Sequence, residues 1–382
     1  MNLPQVLVLG AGYASLAFLK ALGASVRQKC QITLIAKSPL HYFSTLLHEV
    51  AMGASQHALE LSKILPHGVQ FIEDQVLEIQ ARSVRGQKGV YAYDKLIVGL
   101  GFASESFGVH GVREHTRALV SYQEAQNTHQ ELLQAIQACK GHFSVVVCGG
   151  GFSGVELIGA LSDHLPKFFK QYGLDPSQAR ITCIEAMPQI LPMFSDKLVQ
   201  KGVAYLRSLG VHLEVGAKIL ECCADRVVVE KEHTKQEIMA DFIFWTCGVR
   251  GNQVIENSPF LMSTRSRVEV NAFLEPIDMP QQGIFILGDC AAFKDPLGKF
   301  YPASAQLASQ MGAYLGSQFG LILEGKTPNA PFIFQEKGLI CSLGACYAIG
   351  RVGRFHLAGR IAAWLKKYTE WKWERSLKAD WF

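Results

Sequence analysis

Ser144–Gly154 reads SVVVCGGGFSG, and near the start of the chain Gln5–Ser15 reads QVLVLGAGYAS. In each stretch an apolar run ends on glycine and passes into residues with helical spacing, and a second apolar run follows. The first unit comprises a strand at Gln5–Leu9, a helix at Tyr13–Gly23 and a strand at Gln31–Ala36 (QITLIA). The second comprises a strand at Ser144–Cys148, a helix at Val155–Leu165 and a strand at Arg180–Glu185 (RITCIE). Two strand–glycine–helix–strand units in one chain predict an α/β protein with two doubly wound, Rossmann-like dinucleotide-binding domains.

The glycines have separable duties. Gly10 and Gly149 allow the tight turn, while Gly12 and Gly151 let a pyrophosphate approach the backbone at a helix N-terminus, where free N–H groups favour negative charge. The third position needs a small residue so that helix and strand can pack. Gly154 meets that need in the second loop, and Ser15 takes the place in the first. Tyr13 and Ala14 complete the first loop, and Phe152 and Ser153 the second. Taken alone, the first loop is equally a glycine-bearing turn of any α/β protein. The second is complete, and Glu185 ends the next strand, where a carboxylate accepts the ribose hydroxyls of an adenosine. Ala186, Met187 and Pro188 follow with no Arg for a 2′-phosphate, which predicts NADH over NADPH. After the first loop the matching residues are Ala36-Lys37, so that dinucleotide is expected to be held by fewer ribose contacts. Gly288-Asp289, after the apolar run Gly283–Leu287, places a carboxylate for a flavin ribityl or phosphate group, or simply for capping a helix. Two facing dinucleotides make a hydride relay from nicotinamide to isoalloxazine, so FAD and NADH are the expected cofactors.

Composition narrows the class further. At roughly 150 residues per domain, 382 residues predict two to three domains. A content of 49% hydrophobic residues excludes disorder and a disulfide-stapled miniprotein. No run is long and apolar enough to predict a spanning helix, and Met1–Gln5 leads straight into a strand, which predicts no signal peptide. Ten cysteines without regular spacing read as reduced thiols of a cytosolic protein. From Arg351 to Phe382 eight basic residues face three acidic ones, a local surplus that exceeds the +4 of the whole chain. Four of the five tryptophans (Trp364, Trp371, Trp373, Trp381) lie in this same tail. Leu357, Ile361, Trp364, Leu365, Tyr368 and Trp371 recur at helical spacing within an arc of about 120°. Such a Trp-rich basic helix predicts binding in the plane of a membrane interface, ahead of ordinary packing and well ahead of nucleic-acid binding.

Together these residues resemble the two-dinucleotide flavoprotein reductases (a glutathione-reductase-like fold) and, within them, type II NADH:quinone oxidoreductases. The resemblance is carried by His41–Gly53 (HYFSTLLHEVAMG), Tyr93–Gly101, Gly154–Leu157, Trp245–Val249 (WTCGV), Gly288–Cys290 and Ala305–Gln310 (AQLASQ). It implies FAD at the N-terminal loop, with Lys37, Thr45, Leu47, Val76, Gly101, Asp289 and Ala305 among the contacts. It implies NADH at the second loop, with Cys247 and Gly248 joining Glu185. It places Glu156 close to flavin and nicotinamide in a proton-handling role, and assigns Gln306 and Gln310, four apart on one helical face, to the quinone. It also implies residues 1–112 with 253–325 as the FAD domain, 113–252 as the NADH domain and 326–382 as a C-terminal domain carrying the membrane helix.

Two alternatives stay open at this stage. Cys341 and Cys346 are close enough in sequence to meet, which keeps sulfide:quinone oxidation in play, although that chemistry has no use for an intact second loop with Glu185. The other is an NADH-binding flavoprotein redox sensor. The expected activity is FAD-dependent oxidation of NADH with two-electron reduction of a membrane quinone and no proton pumping, on the cytoplasmic face of the inner membrane. A homodimer is compatible with the sequence.

Overall fold

The computed structural model describes residues 3–378. Gln5–Leu9 is the centre of a five-stranded parallel sheet, flanked by Gln31–Ala36 and Lys95–Val98, with Val69–Glu73 and Ile284–Ile286 at the edges. A second parallel sheet runs in the order His212–Val215, Ala179–Glu185, Phe143–Cys148, Phe242–Trp245. The central strands are nearly unbroken apolar runs because helices or other layers cover both of their faces. Phe102–Ser104 pairs antiparallel with Val249–Gly251, joining the two halves close to where the chain crosses between them.

The helix Ala305–Leu323 lies against Tyr13–Ala21, the helix of the first glycine loop. Glycines make this approach possible. A Cβ on Gly312 would stand 2.0 Å from the Ala14 carbonyl oxygen, and one on Gly316 would stand 2.4 Å from that of Phe18. Phe18 and Phe319 close the contact edge to face at 5.0 Å.

Several expected boundaries shift. The first helix stops at Ala21, and Gly23 caps a separate turn at Ala24–Arg27. The helix that precedes the second unit starts at Tyr122, where the Ser121 hydroxyl accepts from the Glu124 N–H at 3.2 Å and so fixes the N-terminus. The second loop's helix runs from Phe152 to Gln171, straight through Pro166, because its apolar face (Leu161, Leu165, Phe168, Phe169) stays buried on both sides of the proline.

Beyond residue 338 a three-stranded antiparallel sheet (Leu339–Ser342, Ala348–Val352, Phe355–Gly359) leads directly into the tail helix Arg360–Lys378. Leu357 belongs to the last strand, opposite Gly350, and not to the helix whose spacing it continues. Trp381 lies outside the described residues. Among those described, no helix is long and apolar enough to cross a membrane.

Candidate active site at the two glycine loops

The two loops are built alike. Gly10 donates its N–H to the Ile35 carbonyl at 2.8 Å, and Gly149 donates to that of Ile184 at the same distance. Both glycines have left-handed φ (85° and 108°), and a Cβ would come within 2.4 Å of the Gly99 oxygen at Gly10 and 2.9 Å of the Thr246 carbonyl carbon at Gly149. Packing therefore demands glycine at these two positions. Gly12 and Gly151 differ: a Cβ on Gly12 would meet only the Gly99 oxygen at 4.0 Å, and one on Gly151 would meet nothing within that range. Their smallness serves no protein neighbour and leaves backbone open at a helix N-terminus, which fits a dinucleotide pyrophosphate at each loop.

At the third position, Gly154 is forced, since a Cβ would lie 1.9 Å from the Gly149 oxygen. Ser15 fits the first loop because the missing side chain of Gly99 makes room for it. A Cβ on Gly99 would be 2.3 Å from the Ser15 hydroxyl, which donates instead to the Leu9 carbonyl at 3.3 Å.

Glu185 is held in place by two backbone donors. One carboxylate oxygen accepts from the Gly150 N–H at 2.7 Å and the other from the Met187 N–H at 2.8 Å. The paired loop hydrogen bonds make Ala36 the counterpart of Glu185, with the exposed Lys37 next to it. Cys247 lies against the second loop, with its Cα 3.0 Å from where a Gly149 Cβ would stand, and burial pushes its thiol well above the ordinary range. Gly248 adjoins the Phe107 ring, and its carbonyl accepts from the Glu105 N–H.

On the first domain the Tyr13 hydroxyl meets that of Thr45 at 3.1 Å, and burial pushes the phenol up to about 12. Ala14 faces Gly288, and the Cys290 thiol donates to the Gly101 carbonyl at 3.2 Å, bringing Asp289 and Gly101 to the same end of the sheet. Crowding by protein raises the Asp289 carboxyl to about 6 against the opposing pull of Arg267. Leu47 is buried, while Val76 is buried in the first domain's core, so its backbone is what it can offer a ligand.

Glu156 is the centre of a cluster where the second loop's helix meets the strand Leu339–Ser342 and the tail helix. Its Oε1 accepts from the Ser342 N–H at 3.2 Å and hydroxyl at 3.3 Å, and pairs with the Lys366 ammonium at 2.9 Å. Burial works against the Lys366 charge, but Glu156 and Glu370 outweigh it and hold the ammonium above the ordinary lysine value. His48 is buried nearby and stays neutral to lower pH than a free histidine, because burial outweighs the carboxylates around it.

The tail helix is thereby tied into the site. Trp373 packs on Tyr13 with ring centroids 5.0 Å apart, and its indole N–H donates to His41 Nε2 at 3.2 Å. With Nε2 accepting, His41 Nδ1 carries the proton and donates to the Ala11 carbonyl at 2.8 Å. Burial lowers this imidazole to about 4, so it is neutral at physiological pH. Lys366, Glu370 and Ser342 carry no motif letter, while His41 opens the stretch His41–Gly53 and Trp373 is one of the tail tryptophans, and the contacts of all five escape pattern reading. The available signal is the second stripe Ala362, Lys366, Glu370, Trp373, Leu377 at helical spacing, which turns inward while Ile361, Trp364, Tyr368 and Trp371 stay exposed.

Gln306 and Gln310 do share one face, but both amides clasp the segment 335–338. Gln306 Oε1 accepts from the Lys337 N–H at 2.7 Å, and its Nε2 donates to the Gly338 carbonyl at 3.3 Å. Gln310 makes the same pair of bonds with Gln335 at 3.0 and 2.8 Å. Each amide keeps a second N–H and a second lone pair for a ligand. Ala305 opens this helix, next to its Ser304 cap. Cys341 and Cys346 do not form a pair: Cys341 is buried with a raised pKa, Cys346 is exposed in the turn beyond it, and all ten cysteines are free.

A nucleotide-binding α/β reductase with two cofactor loops is the class this geometry defines. The model of the pyridine nucleotide-disulphide oxidoreductase family matches residues 4–312. The type II NADH:quinone oxidoreductase of Staphylococcus aureus strain NCTC 8325 / PS 47 is 35% identical over 96% of this chain and 94% of its own length, as is that of strain COL. The NADH complex of NDH2 from Plasmodium falciparum superposes with a TM-score of 0.88 at 16% identity, covering 98% of this chain and 96% of that one. The sulfide:quinone oxidoreductase of Aquifex aeolicus gives 0.78 at 19% identity, covering 98% and 91%. At such identities the structural likenesses speak for the fold. The chain belongs to the pyridine nucleotide-disulphide oxidoreductase family and, within it, to the type II NADH:quinone oxidoreductases.

Proposed function

We propose that the protein oxidises NADH and reduces a membrane quinone to quinol by way of bound FAD, without pumping protons. When bound, FAD supplies two-electron redox chemistry between a hydride donor and a quinone. The observation that carries this reading is the pair of open-faced glycine loops, of which the second alone is provided with an oriented ribose carboxylate, Glu185. In this reading Gly10, Gly12, Tyr13, Ala14, Ser15, Lys37, Thr45, Leu47, Val76, Gly101 and Asp289 hold FAD. Gly149, Gly151, Phe152, Ser153, Gly154, Glu185, Cys247 and Gly248 hold NADH. Glu156 holds and moves a proton at Oε1, with Lys366 and Ser342 fixing that oxygen. Gln306 and Gln310 orient the quinone beside Ala305, and the FAD, NADH and C-terminal domains are those bounded at residues 112, 252 and 325.

The tail helix binds the interface of the membrane's cytoplasmic side. Supporting this, Ile361, Trp364, Tyr368 and Trp371 form an exposed stripe, with Trp364 stacked on Tyr368 at 5.7 Å and Arg375 over Trp371 at 5.2 Å. Indole rings flanked by cations suit a headgroup layer. The test is anaerobic mixing of the FAD-loaded protein with NADH, NADPH and sulfide separately. NADH alone is expected to bleach the flavin rapidly. Bleaching by sulfide and not by NADH would overturn the reading.

A further inference from the structure

Three ionisable side chains form a graded line from solvent to the interior. Glu370 is 23% exposed, Lys366 16% and Glu156 6%. Lys366 Nζ lies 3.7 Å from Glu370 Oε1 and 2.9 Å from Glu156 Oε1. Glu370 and Lys366 are one turn apart on the tail helix, and Glu156 comes from the second loop's helix, so the line exists only when the tail is seated. Two carboxylates share one ammonium, and the more buried of them also takes both donors of Ser342. Glu370 therefore has fewer donors to hold its negative charge than Glu156 has.

Resting on the activity proposed above, we propose that Glu370 is the positioning residue through which the solvent proton consumed in quinol formation reaches Glu156, with Lys366 as the intermediate. Oxidation of NADH by a quinone takes up one proton from water per turnover (NADH + H⁺ + Q → NAD⁺ + QH₂). Each transfer conserves charge. As Lys366 gives an ammonium proton to Glu156 Oε1 it takes the carboxyl proton of Glu370, one N–H breaking as another forms, so the ammonium charge is kept throughout and solvent reprotonates Glu370. The 3.7 Å gap closes by rotation of one side chain or by one water.

The groups facing Glu370 agree with this assignment. Burial and the neighbouring Glu156 and Glu49 carboxylates raise its carboxyl to about 7, while Lys366 and, more weakly, His57 pull it down. Glu49 is itself held low, chiefly by its hydrogen bond with His57, so it does not compete for the proton. Tyr13 faces the same pair from the first loop's helix and keeps its own proton.

The test compares wild type with Glu370→Gln and Glu370→Asp in the FAD-loaded protein. Infrared difference spectra taken across a pH titration are expected to show a protonated carboxyl band that disappears near pH 7 in the wild type. That band is expected to be absent in E370Q and displaced in E370D. Quinone turnover in the wild type is expected to fall as pH rises through the same point. In E370Q this bend is lost and turnover at pH 8 drops about tenfold or more, as expected for loss of a proton donor. Flavin reduction by NADH should stay within about twofold, because hydride delivery needs no solvent proton. If the band persists in E370Q, or its pH profile matches wild type, the proposal is overturned. If E370Q does not fold, E370D must shift both band and bend, and an unshifted pair is equally fatal. Wild-type protein whose flavin NADH cannot reduce, or that shows no quinone turnover, refutes the activity itself, an outcome distinct from either of these.

Discussion

Replacing Lys366 with Met removes the ammonium from Glu156 while keeping most of the packing volume. The two charged atoms are 2.9 Å apart, with side chains 16% and 6% exposed. At an effective dielectric of about 20 their attraction is roughly 6 kcal/mol, an upper limit because desolvation offsets much of it. Removing one partner of a buried pair costs about 3–5 kcal/mol, since the other charge is left stranded. Glu156 can limit that cost by taking up a proton. Burial without a countercharge favours the neutral form of a carboxyl. The loss is therefore small at low pH, where the proton is available, and grows as pH rises. K366M is therefore expected to lose about 3 kcal/mol at pH 8 and under ~1 kcal/mol near pH 5. Urea unfolding followed by circular dichroism at both pH values measures this, with the double variant K366M/E156Q as control. Gln keeps the acceptor for Ser342 but carries no charge, so the double variant should recover most of the pH 8 loss. Equal destabilisation at both pH values, or a double variant no better than K366M, would refute the view that a stranded Glu156 charge is the cause.

Other substitutions test other parts of the site. Glu185→Ala removes the carboxylate proposed for the ribose and two loop hydrogen bonds, and is expected to weaken NADH binding at least tenfold in anaerobic titrations, at about 1–3 kcal/mol for the lost charged acceptor. Ala36→Glu places a carboxylate at the counterpart of Glu185. It should slow FAD loss during dialysis against chaotrope, and unchanged retention would contradict the equivalence of the two strand ends. The double variant Trp364→Ser/Trp371→Ser empties the exposed stripe. It should cut co-sedimentation with anionic vesicles severalfold while leaving thermal stability nearly unchanged, because neither ring is buried in the protein.

What could be read from the sequence follows a physical divide. Strand–glycine–helix units are local: the apolar runs, the turn glycines and Glu185 carry their meaning within about 40 residues, and the structure puts them where the pattern says. Even the departure at Ser15 is local in origin but explained at a distance, since Gly99 supplies its space. The tail was harder to read. Its helical arc correctly picks out the exposed aromatic stripe, but Leu357 continues the spacing by accident and sits in a strand. Lys366 and Glu370 look like members of a solvated face. They turn inward because Glu156, more than two hundred residues earlier, supplies a countercharge that no periodicity reveals. Trp373 breaks the stripe because it packs on Tyr13 and bonds His41. Gln306 and Gln310 share the expected face, yet much of their bonding goes to the backbone of 335–338, a contact their four-residue spacing alone does not encode.

The central claim, that one chain passes electron pairs from NADH through FAD to quinone, is tested most directly by a single anaerobic turnover in the stopped-flow. FAD-loaded protein is mixed with one equivalent of NADH and then with one equivalent of a short-chain quinone. The account predicts that the yellow absorbance bleaches with the first addition and returns with the second, leaving one NAD⁺ and one quinol. Flavin that stays oxidised with NADH, or that stays bleached after quinone, would contradict it.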